Sequence, residues 1–463
     1  MSSYRIEKDL IGEVNIDEKQ YWGIHTQRAL NNFVITGYTV PEELIKALAI
    51  VKKACALTNA ELGFLDKNKA EAITNACDDI CAGNLKNEFP IDALQAGAGT
   101  STNMNINEVI ANRAIEILKG TKGDYTKIHP IEDVNLHQST NDVYPTAVKI
   151  AAIFGLRRLS KNIEKLQGAF QKKEKLFAEI VKIGRTEMQD AVPMTLGAEF
   201  SGFAEAISRD RWRIFKCEER LRVVNIGGTA IGTGLTAPRE YIFLVIEKLR
   251  ALTGLGICRA ENIIGATANS DEFVEVSGIL KAFASNIIKI SNDLRIMNML
   301  KEISLKKLQA GSSIMPGKVN PIILEAAMQT GLKVIANDFL ITEAASRASM
   351  QINEFMPLLA FSILESIKIL NNISIILVDY ITEISANEDI CRQYVENSPT
   401  IITAFLPFIG YEKAEQLIKE FTNSSKTNIK NFLEEKLGKD IVEKILSPYS
   451  LTSLGYKINE RNP

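Results

Sequence analysis

Three stretches of the chain carry more hydroxyl, amide and ammonium groups than a connecting loop needs. Thr100-Ser101-Thr102-Asn103, Ser139-Thr140-Asn141-Asp142 and Lys318-Val319-Asn320-Pro321 each precede an apolar-periodic run. The runs predict helices over Met104 to Leu118, through Val148, and through Ala326 and Leu332. Pro321 suits the first helical position and Asn320 the cap. A helix start offers free backbone N–H groups and the positive end of a dipole, which suits a carboxylate. Lys318 adds a full charge. Taken singly, each stretch reads as an ordinary cap. Taken together, the donors exceed what caps require, and loops of this kind that meet in space form a cradle for a small dianion.

A fourth segment, Gly311-Ser312-Ser313-Ile314-Met315-Pro316-Gly317-Lys318, lacks the glycine spacing and the Lys-Ser/Thr ending of a phosphate loop. A glycine-flanked serine near a lysine can act as nucleophile or base. No histidine partners it in sequence, which argues against a Ser-His-Asp hydrolase. The three histidines (His25, His129, His137) and six cysteines form no set with zinc spacing. Cys77 and Cys81, one helical turn apart, read as reduced thiols. Neither metal nor cofactor is expected.

These loops need rigid elements to hold them. Phe273, Val276, Leu280, Phe283, Ile287, Ile290, Leu294 and Met297 recur at helical spacing. So do Val148 to Leu166, Leu332, Ile335 and Phe339, and Leu359 to Leu370. All read as core. The expected fold is all-α dominated, a central bundle of long helices with smaller N- and C-terminal domains. The segments are residues 1–138, 139–392 and 393–463. The stripes are rich enough to bury more than one face, which favours packing across subunits. At 463 residues, 46% apolar and 24% charged, the composition is that of a soluble globular protein. A net charge of −2 offers no footprint for nucleic acid. The polar N-terminus and the short apolar runs, such as Ile373 to Val378, give neither a signal peptide nor a span, so the expected location is cytoplasmic.

Gly311 to Pro321 resembles the signature loop of the aspartase/fumarase superfamily. Gln138 to Asp142, Gly97 to Glu108, Gly184-Arg185-Thr186 with Gln189 to Pro193, Gly228 to Leu235, and Tyr21-Trp22-Gly23 resemble further blocks of that family. The resemblance covers nearly the whole chain. It implies the L-aspartase-like fold and a homotetramer whose active sites each draw on three subunits. The implied reaction is anti-elimination across C2–C3 of a succinyl-type dicarboxylate, giving fumarate. Ser312 matches the base on a mobile loop. Lys318, Asn320 and Thr186 match residues around the α-carboxylate. Thr100, Ser139, Thr140 and Ser313, with Ser101 beside them, match those around the other carboxylate. Asn141 matches a residue near the leaving group.

Three departures from the family pattern bear on function. Glu187 follows Gly184-Arg185-Thr186, where relatives carry His or Gln. A carboxylate there either pairs with a substrate ammonium, favouring L-aspartate over malate, or points away to a neighbouring cation. The stretch Met297 to Ile303 is shorter than usual and lacks Ser-Gly-Pro-Arg. Asp133 stands where His precedes Val-Asn, while His137 precedes Gln138, either replacing a hydrogen bond or lying exposed. The expected activity is deamination of L-aspartate to fumarate and ammonia. The alternatives are malate dehydration, elimination from another N-substituted aspartate, or a catalytically silent scaffold.

Overall fold

Apolar side chains spaced every three to four residues bury one face of a helix. Five long helices carry that pattern: Thr140–Leu176, Leu196–Leu221, Asp271–Met299, Ile322–Ser346 and Met356–Thr382. The structure is a computed structural model that describes residues 3–456. Residues 1–2 and 457–463, the outer ends of the first and last expected segments, lie outside the described residues. The stripe from Phe273 to Met297 is buried throughout. Leu332 and Phe339, read as core, are instead exposed on the chain, at 59% and 65%. Helical periodicity marks an apolar face but does not say which molecule covers it. Ile373 to Val378 is likewise no isolated run. It belongs to the 27-residue helix Met356–Thr382, which is long and apolar enough to cross a membrane, and 56% of its apolar window is buried within the protein.

Contact divides the chain into two units. The first comprises Met1–Ser160, Trp212–Ala282 and Leu332–Asn371; the second comprises Lys161–Arg211, Phe283–Gly331 and Asn372–Pro463.

The first unit opens with an antiparallel ribbon, Tyr4–Lys8 against Glu13–Asp17, in register from Tyr4↔Asp17 to Lys8↔Glu13. Helices Ile24–Asn32, Glu42–Glu61, Lys67–Ala82 and Thr100–Ile117 follow. The buried Glu108 carboxylate accepts the N–H groups of Gly23, His25 and Thr26. It thereby serves the start of the Ile24–Asn32 helix, whose own N-cap residue, Gly23, has no side chain to do so.

In the second unit, Val181–Thr186 pairs with Gln189–Thr195 as a hairpin, with a register shift between Ile183 and Arg185. Ile183 enters a core made by short C-terminal helices through Ile401, Phe405, Leu417, Phe432 and Leu433. The shortened connection is also here. The long helix ends at Met299, Lys301 turns the chain with φ +61°, and Ile303–Ser304 pairs with Ser385–Ala386.

Two glycines on the Thr140–Leu176 helix separate helix propensity from packing. A Cβ on Gly155 would lie 2.6 Å from Ile367 Cγ2, whereas one on Gly168 meets nothing within 4 Å. Gly168→Ala should stabilise the protein by roughly 0.5–1 kcal/mol. Gly155→Ala should lose that gain and cost about 1–3 kcal/mol through overpacking. Denaturant midpoints decide this, and equal shifts for the two variants would refute the close approach.

Candidate active site

Within the first unit, two helix starts and a glycine-rich loop are tied together. The helix Thr100–Ile117 begins four residues earlier than periodicity indicates, so Thr100, Ser101, Thr102 and Asn103 form its first turn. Its N-cap is Gly99, at φ +94°, where a Cβ would strike the Tyr144 ring at 2.5 Å. Only glycine satisfies both demands. Thr100 is exposed, and its hydroxyl donates to Gly97 O. Asn103 Nδ2 donates to Thr140 Oγ1 at 3.0 Å, joining this turn to the next helix start.

That second start is a capping box. Ser139 Oγ accepts the N–H of Asn141, while Asp142 Oδ1 accepts the N–H of Ser139 at 3.0 Å. The other oxygen of Asp142 accepts the N–H groups of Gly227 and Thr229. Asn141 Nδ2 donates to Ala230 O at 2.7 Å. Thr100, Ser139, Thr140 and Asn141 thus share a frame with the Gly227–Ala230 loop. Asp142 is fully buried, and burial raises its carboxyl to about 7 against the amide donors and Lys52. Lys52, also fully buried, is lowered to about 8 by desolvation and donates to Asn135 Oδ1 and Gln138 Oε1.

Within the second unit, Thr186 pairs with Gln189, leaving Glu187 and Met188 as a two-residue turn with φ +51° and +62°. Positive φ at both central residues is the type I′ geometry that suits the twist of a hairpin. Non-glycine residues held there are strained. Both side chains are exposed, and Glu187 has no ion pair among the described residues. The signature segment closes on itself: Gly311 N donates to Lys318 O, and Asn320 Nδ2 donates to Gly311 O. Ser312 Oγ accepts two backbone N–H groups, from Ile314 at 3.1 Å and Met315 at 2.9 Å. Ser313 and Lys318 are exposed. The following helix begins at Ile322 with Pro321 O accepting its first bonds. Pro321 therefore occupies the cap position, and Asn320 secures the loop instead of capping. No hydrogen bond or ion pair joins Thr186 or Glu187 to Ser312, Ser313, Lys318 or Asn320 among the described residues.

The structural partners of this site differ in how far the sequence shows them. Asp142 was visible in the Ser139-x-x-Asp142 capping pattern. Lys52 lies mid-helix with no local signal. Glu302, which is fully buried, lies in the shortened connection and meets Arg185 and Lys182.

A family model described as "Lyase" matches residues 12–336. The aspartate ammonia-lyase of Bacillus subtilis is 44% identical over 98% of this chain and 97% of its own length. That of Helicobacter pylori J99 is 43% identical over 97% of this chain and 98% of its own. Among solved structures, the fumarate lyase:delta crystallin from Brucella melitensis bound to cobalt superposes with a TM-score of 0.93. It is 40% identical and the match covers 98% of this chain and all of that one. The class II fumarase from Schistosoma mansoni reaches a TM-score of 0.90 at 30% identity, over 96% and 98% of the two chains.

His137 adjoins this frame and is neither exposed nor idle. Its Nδ1 lies 2.8 Å from Asn59 Oδ1, and its ring meets Phe64 and Tyr241 edge-on. Asn59 also donates to Leu136 O, so one amide holds the turn before Gln138. Desolvation depresses the imidazole pKa below its ordinary value. A depressed folded-state pKa contributes stability above the unfolded pKa, lost as pH falls through the folded one. The His137 contribution to stability should therefore fall away from about pH 6.5 downward. His137→Asn, which tolerates the residue's φ of +61°, should flatten that slope. Unfolding midpoints at pH 7.5 and 5.5 test this; an unchanged slope removes His137 as its source.

Proposed function

Because the chain belongs to the lyase family of aspartases and fumarases, we propose that it is an aspartate ammonia-lyase converting L-aspartate to fumarate and ammonia. The observation that carries the mechanism is Ser312. Its oxygen receives two backbone N–H groups and sits on a loop that ends in the exposed Lys318. Donors of that kind favour the alkoxide and lower the hydroxyl's pKa.

On this reading Ser312 takes the proton from C3. The electrons move into the adjacent carboxylate, which becomes an enediolate. Thr100, Ser101, Ser139, Thr140 and Ser313 surround that group and meet the growing charge with preset donors. Lys318, Asn320 and Thr186 hold the α-carboxylate. The C2–N bond then breaks, its electron pair leaves with nitrogen, and the ammonium departs as ammonia near Asn141. An ammonium already carries its proton, so no acid is needed at the leaving group. Glu187, unpaired at the tip of its turn, matches the ammonium rather than a hydroxyl.

Two halves of the donor set lie in different units, and the long helices of 139–392 leave Leu332 and Phe339 uncovered. Both features support a homotetramer in which three subunits complete each site. Malate dehydration is the alternative chemistry.

Purified protein should release fumarate, followed by absorbance, from L-aspartate; product from L-malate alone would reverse the assignment. Ser312→Ala should lower kcat by roughly 10²–10⁴-fold while the oligomer elutes unchanged, and retained turnover would remove Ser312 as base. Glu187→Gln should raise KM for aspartate about ten- to hundredfold, the equivalent of about 1.5–3 kcal/mol for a hydrogen bond to a charged group. An unaltered KM would show that Glu187 points elsewhere.

A further inference from the structure

Arg185 immediately precedes Thr186 in the hairpin, and three different segments grip it. Its Nη1 lies 2.5 Å from Glu302 Oε1, in the shortened connection. Its Nε lies 3.2 Å from Asp190 Oδ1, on the opposite strand. Its guanidinium carbon stands 4.9 Å over the Tyr394 ring, on the C-terminal helix Glu388–Asn397. Each partner is itself held. Tyr394 OH donates to Leu300 O, and Ser398 Oγ donates to Asp190 Oδ2. The Glu302 backbone carbonyl accepts the N–H of Asn387. The other oxygen of Glu302 lies 2.7 Å from Lys182 Nζ, and Lys182 also pairs with Glu199.

Lys182 and Arg185 are three residues apart. In a regular strand they would point to opposite faces. The register shift between Ile183 and Arg185 turns both toward one carboxylate. Glu302 is 0% exposed. A buried ion cluster is a poor source of stability, since apolar residues of the same volume often do as well or better. What a planar, forked guanidinium supplies here is direction. The next residue along is Thr186, and the one after it is Glu187.

We propose that Arg185 is a positioning residue for the elimination, fixing the aim of Thr186 and Glu187 at the substrate through its grip on Glu302, Asp190 and Tyr394. This rests on the reading above that the hairpin tip faces substrate. The short connection after Met299 is then a functional part of the site, because it delivers the Glu302 carboxylate to Arg185. The C-terminal helix joins the same machinery through Tyr394.

The test is a double-mutant cycle on the intact enzyme, reading KM and kcat for L-aspartate and the elution volume of the oligomer. Thr186 holds a carboxylate present in both substrate and transition state, so misaiming it raises KM more than it lowers kcat. Arg185→Lys should raise KM on the order of tenfold. In a Thr186→Ala/Glu187→Gln background the same substitution should add less than about twofold, because both groups it aims are gone. Equal KM effects in both backgrounds overturn the proposal while leaving the hairpin tip at the substrate. A Thr186→Ala variant with unaltered KM overturns the substrate reading and this proposal with it. Should Arg185→Lys fail to fold, Tyr394→Leu carries the same cycle. Tyr394→Phe keeps the ring face and should retain the wild-type KM; a rise matching that of Tyr394→Leu counts against the stacking contact.

Discussion

A buried carboxylate that collects backbone N–H groups is the constraint on which the candidate site depends. Asp142 draws on Ser139, Gly227 and Thr229, which belong to a helix start and a distant glycine-rich loop. Leaving any of these amides without an acceptor would cost about 1–3 kcal/mol. The two segments are therefore fixed to one point. Their remaining donors, Thr140 and Asn141 among them, can only take positions compatible with that anchor. Glu302 does the corresponding work in the second unit, collecting cations rather than amides. The anchors Asp142 and Glu302 are buried, while Thr100 in the first unit and Thr186, Glu187, Ser313 and Lys318 in the second are exposed. A site built this way is organised before substrate arrives, which is what electrostatic stabilisation of a short-lived enediolate requires.

The candidate donors are divided between the two units. Ser312 and its loop belong to the second unit, and the Thr100 and Ser139 helix starts to the first. Exposed Leu332 and Phe339 on the Ile322–Ser346 helix continue the apolar stripe onto a face that water would otherwise meet. Helices that are apolar on more than one face belong to interiors. In the proposed tetramer, covering those faces and completing the site are a single event, so catalytic competence depends on assembly.

Much of this was legible in the sequence. Helical periodicity located the buried stripe from Phe273 to Met297, because burial of one face is a local pattern. The signature segment and the donor-rich helix starts stood out by composition. Boundaries were less legible. Thr100 to Asn103 entered the helix because Gly99, in a left-handed conformation, takes the N-cap position, and Gln95 Oε1 rather than their own side chains accepts the N–H of Thr102. Asn320 closes the signature loop on Gly311 instead of capping. The partners Lys52 and Glu302 were invisible because their meaning lies in residues far along the chain, Asn135 and Gln138 for one, Lys182 and Arg185 for the other. His137 shows the same limit: its type was read, but only Asn59, Phe64 and Tyr241 determine what it does. Leu332 and Phe339 were misread as core for the opposite reason, since periodicity is blind to which chain does the covering.

Glu187 joins the strain of the hairpin to the direction of the reaction. A carboxylate facing a dicarboxylate is unfavourable unless a positive charge lies between them. L-aspartate supplies one, since its ammonium reduces the net charge from −2 to −1. Once the C–N bond breaks and ammonia leaves, that compensation vanishes. On the proposed reading Glu187 then faces fumarate, a full dianion, across the same gap, and a contact that was attractive becomes repulsive. The pairing therefore discriminates between substrate and product as well as between amine and hydroxyl substrates. It favours departure of fumarate after each turnover. Such a contact must be held firmly, because a mobile side chain would swing away from the dianion and forfeit the repulsion. A two-residue turn with positive φ at non-glycine positions, anchored two residues back by a guanidinium gripped from three sides, fixes the backbone from which that side chain extends.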